Sequence, residues 1–109
     1  FGNCLMDKVQ VSDSCLDDGD FSMSTLSNSV MTRTSFKRCL MTEANLSRAD
    51  FRGCDLLDTN AHNADMSFTD FRDSNMFRMT LTNAVFAHTL VEQAYLYGTI
   101  LDKTHYGRK

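Results

Sequence analysis

Every fifth residue of the chain is hydrophobic, from Phe1 to Tyr106, without an insertion or a slip of phase. The run passes through Phe21, Leu26, Met31, Phe36, Met41, Leu46, Phe51 and Leu56, and on through Phe71, Met76, Leu81 and Leu96. A helix repeats every 3.6 residues and a strand every 2, so neither explains a beat of five. A second beat runs two residues ahead of the first. It holds small residues such as Cys4, Ser24, Ala44, Ala49, Cys54, Thr59 and Ala64, and Met79 is its one large member. Each unit of five thus has a small first position, a large third position and three mostly polar positions.

A five-residue unit cannot bury its own apolar residue, so units must stack and share one continuous core. One large and one small inward position suit a narrow tube, with large residues on the axis and small ones where no further volume exists. Both beats run from end to end, so residues 1–109 read as a single domain with no linker. The chain opens without an initiator Met and reads as a fragment of a longer protein. Proline is absent, which leaves every backbone N–H available for bonding between coils.

The units "ANLSR", "ADFRG", "CDLLD", "ADMSF", "TDFRD" and "SNMFR" lie at residues 44–48, 49–53, 54–58, 64–68, 69–73 and 74–78. They resemble the pentapeptide-repeat family, whose consensus is A(D/N)LXX, and the resemblance covers essentially the whole chain. It implies an all-β fold, a right-handed quadrilateral β-helix with four units to a coil and residue n stacked on residue n+20. This chain would then make about five coils, a rod roughly 26 Å long at the ~4.8 Å spacing of paired strands. "VQVSD" at 9–13, "VEQAY" at 91–95 and the closing "THYGRK" depart from the consensus. Uncapped coil ends would expose backbone groups and permit self-association.

Cys4, Cys39 and Cys54 take the small inward position, where a thiol acts as a small hydrophobe. None stacks on another, which argues against disulfides and for a cytoplasmic or otherwise reducing compartment. Cys15 points outward. Met79 is expected to fill the gap that Ala61 leaves in the large column.

The sequence holds no run long and apolar enough to span a membrane. Its net charge of −3, from 11 basic and 14 acidic residues interleaved, offers no broad field for nucleic acid. No catalytic residues, cofactor site or metal site are expected, and the chain reads as a non-enzyme. His62, His88 and His105 fall in different columns of the coil. Asp50, Asp55, Asp65 and Asp70 share their position with Asn45, Asn60 and Asn75, so it calls for hydrogen bonding to turn backbone rather than proton transfer.

Function must then lie on an outer face. One column reads Asp17, Lys37, Leu57, Phe77, Tyr97, with Tyr95 widening its apolar end and Arg38, Asp58 and Arg78 as a charged rim. Aromatics ringed by arginine are what protein interfaces select. Leu57, Phe77, Tyr97, Tyr95, Arg38 and Arg78 are the candidate protein-interaction residues. Arg52, Arg72 and Arg33 form a second group, read as a solvated ionic ladder with Asp13, Asp50, Asp70, Asp73 and Glu92 nearby. The leading reading is a non-catalytic scaffold that contacts another protein, in the manner of repeat regions of bacterial secreted effectors delivered to host cells. Two alternatives are a DNA mimic that binds topoisomerase and protects it from quinolones, and a module that positions a catalytic domain outside this segment.

Overall fold

The computed structural model describes residue 2 and residues 4–100. Sixteen parallel bridges join second-position residues 20 apart, from Leu5↔Thr25 to Thr80↔Ile100. Four units therefore close one square coil, and the coils stack into a rod measuring 32 Å by 23 Å by 20 Å.

The unit 44–48 shows how five residues turn one corner. Ala44 N–H closes the preceding turn on Met41 O at 3.1 Å, and Ala49 N–H closes the next on Leu46 O at 3.1 Å. Three N–H groups reach neighbouring coils: Asn45 to Ser24 O at 2.9 Å, Leu46 to Asp65 O at 2.7 Å and Arg48 to Ser67 O at 2.9 Å. The fifth, on Ser47, donates to the Asn45 side chain at 3.0 Å. Every backbone donor of the unit is thus satisfied, as a buried backbone requires. Proline would be excluded for this full set of bonds, of which those between coils are three in five.

The same geometry gives the Asp/Asn position its role. Asp50, Asp55, Asn60, Asp65, Asp70 and Asn75 each accept the backbone N–H two residues on, at 3.0 to 3.2 Å. These carboxylates and amides brace turns, as the Asp–Asn interchange indicated.

Each corner also places its fifth-position residue at positive φ. Seventeen non-glycine residues do so, including Met23 at 57°, Arg48 at 60°, Phe68 at 60° and His88 at 56°, besides Gly53 and Gly98. A turn closed between first and third positions of adjacent units needs φ > 0 at its second central residue. Each non-glycine side chain there costs about 1 kcal/mol, which the bonds between coils offset.

The large third-position residues line a common axis. Phe21, Leu26, Met31, Phe36, Met41, Leu46, Phe51, Leu56, Ala61, Met66, Phe71, Met76 and Leu81 are all fully buried. Rings form a spine through it: Phe21 to Phe36 at 5.9 Å, Phe36 to Phe51 at 5.3 Å, Phe51 to Phe71 at 5.5 Å and Phe71 to Phe86 at 6.3 Å. Met6, Val11, Leu16, Phe86 and Val91 are partly buried and pack on this core. Leu96, expected inside, is 37% exposed, because a described coil covers it on one side alone. Phe1, Leu101, Tyr106 and His105 lie outside the described residues, as does "THYGRK". Met79 is fully buried within the core.

First-position hydroxyls and thiols donate to the carbonyl 23 residues earlier. Thr59 reaches Phe36 O at 2.6 Å, Thr69 reaches Leu46 O at 2.6 Å, Cys39 reaches Leu16 O at 3.1 Å and Cys54 reaches Met31 O at 2.7 Å. Ser14 Oγ donates instead to Ser12 O at 3.0 Å, and Ser74 Oγ is buried with no partner. All four cysteines are free. Burial pushes the Cys39 thiol up to about 11 and that of Cys54 to about 12. Among the described residues no helix is long and apolar enough to cross a membrane.

Candidate protein-interaction surface

First and third positions point inward, so fourth and fifth positions form the outer corners. On the face built from units 34–38, 54–58, 74–78 and 94–98, the fourth-position column brings Phe77 against Tyr97 at 5.7 Å with an 11° interplanar angle. Tyr95, from the second position, also meets Phe77 at 5.7 Å and 18°, and meets Tyr97 at 6.4 Å. Three near-parallel rings therefore form one slab. Tyr97 is 71% and Tyr95 55% exposed, while Phe77 and Leu57 are half-buried.

Arg78 holds two roles at the edge of this slab. Its guanidinium lies 4.5 Å over the Phe77 ring. The same group forks onto Asp58 at 2.7 and 2.9 Å, and that hydrogen bonding holds the Asp58 carboxyl below its ordinary range. Arg38 forks onto Asp18 at 2.8 and 3.2 Å, one coil further toward the N-terminus. The structure thus joins Phe77, Tyr95, Tyr97 and Arg78 in one cluster. By the 20-residue register, Leu57 sits one coil before Phe77, and Arg38 one coil before that.

The second arginine group is an ionic ladder. Arg33 pairs with Asp13, Arg52 with Asp50 and Arg72 with Asp70, each at 2.7 Å. Arg52 also stands 3.8 Å from Asp70. Hydrogen bonds from Arg52 and Arg72 hold Asp50 and Asp70 below the usual carboxylate range. A hollow of about 400 Å³ opens beside this ladder between Val30, Thr32, Arg33, Arg52, Gly53 and Asp73. Gly53 is part of its lining, and a Cβ there would stand 3.2 Å from Arg33 Cγ.

A third cluster escaped sequence reasoning. Arg48 lies 4.5 Å over the ring of Phe68, and His88 stacks on that ring at 4.8 Å and 15°. All three are fifth-position residues spaced by 20, the signal that revealed the Phe77 column, but one aromatic between two polar residues did not register as a strip.

Comparison with known proteins agrees with this geometry. A family model for pentapeptide repeats, in eight copies, matches residues 20–56 and 39–76. No curated protein sequence matches. A pentapeptide repeat protein of the Arabidopsis thaliana thylakoid lumen is 24% identical with a TM-score of 0.66, over 79% of this chain and 63% of that one. HetL, involved in heterocyst differentiation regulation in the cyanobacterium Nostoc sp. strain PCC 7120, is 15% identical with a TM-score of 0.55, over 95% and 60%. This chain thus spans less than two thirds of either. A trypsin-treated variant of QnrB1, a plasmid-mediated fluoroquinolone resistance protein, is 18% identical over 92% and 69%, with a TM-score of 0.34. At these identities the first two show fold alone: the right-handed quadrilateral β-helix.

Proposed function

Because the chain belongs to the pentapeptide-repeat family, we propose that it is a non-catalytic scaffold that holds another protein at its aromatic corner. The Phe77–Tyr95–Tyr97 slab carries this reading. Tyrosine and arginine are enriched among the residues that dominate binding energy. Here the rings are already stacked and Arg78 is already tied to Asp58, so little side-chain freedom remains to be lost on association. Leu57 extends the strip along the rod. Chemistry finds no equivalent support, because the repeated second-position carboxylates are engaged in bracing turns.

The charge pattern favours this reading over a duplex-DNA mimic. A mimic must present a mainly acidic surface to a phosphate-binding groove. On this rod Arg33, Arg38, Arg52, Arg72 and Arg78 neutralise aspartates coil after coil. Work as the repeat region of a secreted effector, or as the support for an attached catalytic domain, would each use the same contact.

The test is capture of binding proteins by the immobilised chain and by the Phe77→Ser, Tyr97→Ser double variant. The circular dichroism spectrum should be unchanged, and capture should fall at least about tenfold, given hot-spot energies above 1.4 kcal/mol. Equal capture by both proteins would refute the assignment.

A further inference from the structure

Six arginines lie among the described residues, and five fork onto aspartates: Arg33, Arg38, Arg52, Arg72 and Arg78. Arg48 is the sixth and has no ion pair among them. Its guanidinium rests instead on Phe68, whose other face is backed by His88. The column reads Lys8, Asn28, Arg48, Phe68, His88 and contains no carboxylate. The corner columns on either side do: Glu43 on one, Asp13 and Asp73 on the other.

We propose that the Arg48–Phe68–His88 corner is a docking site for a single carboxylate side chain of a partner protein. A guanidinium presents five N–H donors in a planar fork that matches a carboxylate two-pronged. The guanidinium carbon stands 4.5 Å from the ring centroid, and Arg48 remains exposed to solvent. Phe68 as a whole is 48% exposed; with Arg48 and His88 on its two faces, the ring edge is what an incoming side chain can touch. Stacking from Phe68 restrains the arginine before any ligand arrives, which lowers the entropy lost on binding.

The flanking charges select the ligand. Asp50, Asp65 and Asp70 occupy the two faces that meet at this corner. A polyphosphate backbone running along the rod would meet them in turn, whereas one carboxylate needs only the one cation. The corner lies two faces away from the Phe77 slab, on the opposite side of the rod, so its contact stands independently of the proposed scaffold reading.

The probe is an eight-residue glycine–serine peptide with one central glutamate and blocked ends, titrated into 15N-labelled protein while the arginine Nε–H signals are followed. The expected result is movement of the Arg48 signal with the five aspartate-paired arginines left in place. Arg48→Gln should weaken peptide binding about tenfold or more. Gln93 already occupies a fifth position at φ 65°, so glutamine is tolerated there. Phe68→Asn, chosen because Asn63 holds the same kind of position at φ 62°, should weaken binding about threefold by freeing the guanidinium. Several results would overturn the proposal: no Arg48 shift at millimolar peptide, the same shift with the peptide carrying glutamine in place of its glutamate, or undiminished binding by Arg48→Gln. A larger Arg48 response to a short DNA duplex than to the glutamate peptide would overturn it as well.

Discussion

Truncating Phe51 should break the spine of the rod. Its ring is fully buried and meets Phe36 at 5.3 Å and Phe71 at 5.5 Å, in tilted contacts of 42° and 39°. Burial of such a side chain stabilises by about 1.5–3 kcal/mol, and each ring pair adds about 0.5–1.5 kcal/mol. Phe51→Ala should therefore cost about 3–5 kcal/mol, the range seen for phenylalanine truncated in a core. Phe51→Leu keeps most of the volume and loses both ring pairs, so about 1–3 kcal/mol is expected. Urea denaturation followed by far-UV circular dichroism at pH 7 measures both. With a slope of about 1–3 kcal/mol per molar, the alanine midpoint should fall by roughly 1–5 M. Because each coil contacts only its neighbours, the loss should also broaden the transition as the two halves uncouple. A midpoint shift below about 0.5 M, or equal losses for Phe51→Ala and the half-buried Phe77→Ala, would refute the axial role of this ring.

Two further outcomes are expected. Thr59→Val removes the hydroxyl bonded to Phe36 O and should cost about 1 kcal/mol in the same urea assay, whereas Ser74→Ala, which deletes an unpartnered buried oxygen, should be neutral or stabilising. Arginine forks depress the Asp50 and Asp70 carboxyls below the ordinary aspartate value; depressed carboxyls stabilise the fold above their unfolded value and lose that contribution as pH falls through the folded one. The urea midpoint should thus hold from neutral pH down to about 4 and drop below it, less steeply in the Asp50→Asn, Asp70→Asn double variant.

The inward residues were legible because each is fixed by a single rule, the tandem beat of five. Leu46, Phe51 and Leu56 line the axis wherever four units close a coil, and the number four came from the family resemblance, not from the spacing itself. Once residues 20 apart are known to stack, Phe77 and Tyr97 must meet. The same arithmetic contains Asp18 with Arg38 and Asp58 with Arg78, so the supposed rim is a set of completed ion pairs. It also contains Arg48, Phe68 and His88, which a search for apolar strips passes over. The positive φ at Met23, Arg48, Phe68 and His88 had no local signal. Those residue types do not favour the left-handed region; coil-to-coil bonding imposes it on whatever residue falls there.

The four-sided winding turns deletion length into direction. Removing twenty residues would shorten the rod by one storey and leave every stacked column intact. Removing only residues 59–63 would keep the alternation of large and small, and with it the interior, yet swing everything downstream through a quarter revolution. Phe77 would come to rest over Arg52 in place of Leu57, and Arg78 would lose Asp58 to face Gly53. The shaft would still stand, with its contact surfaces aimed at different compass points.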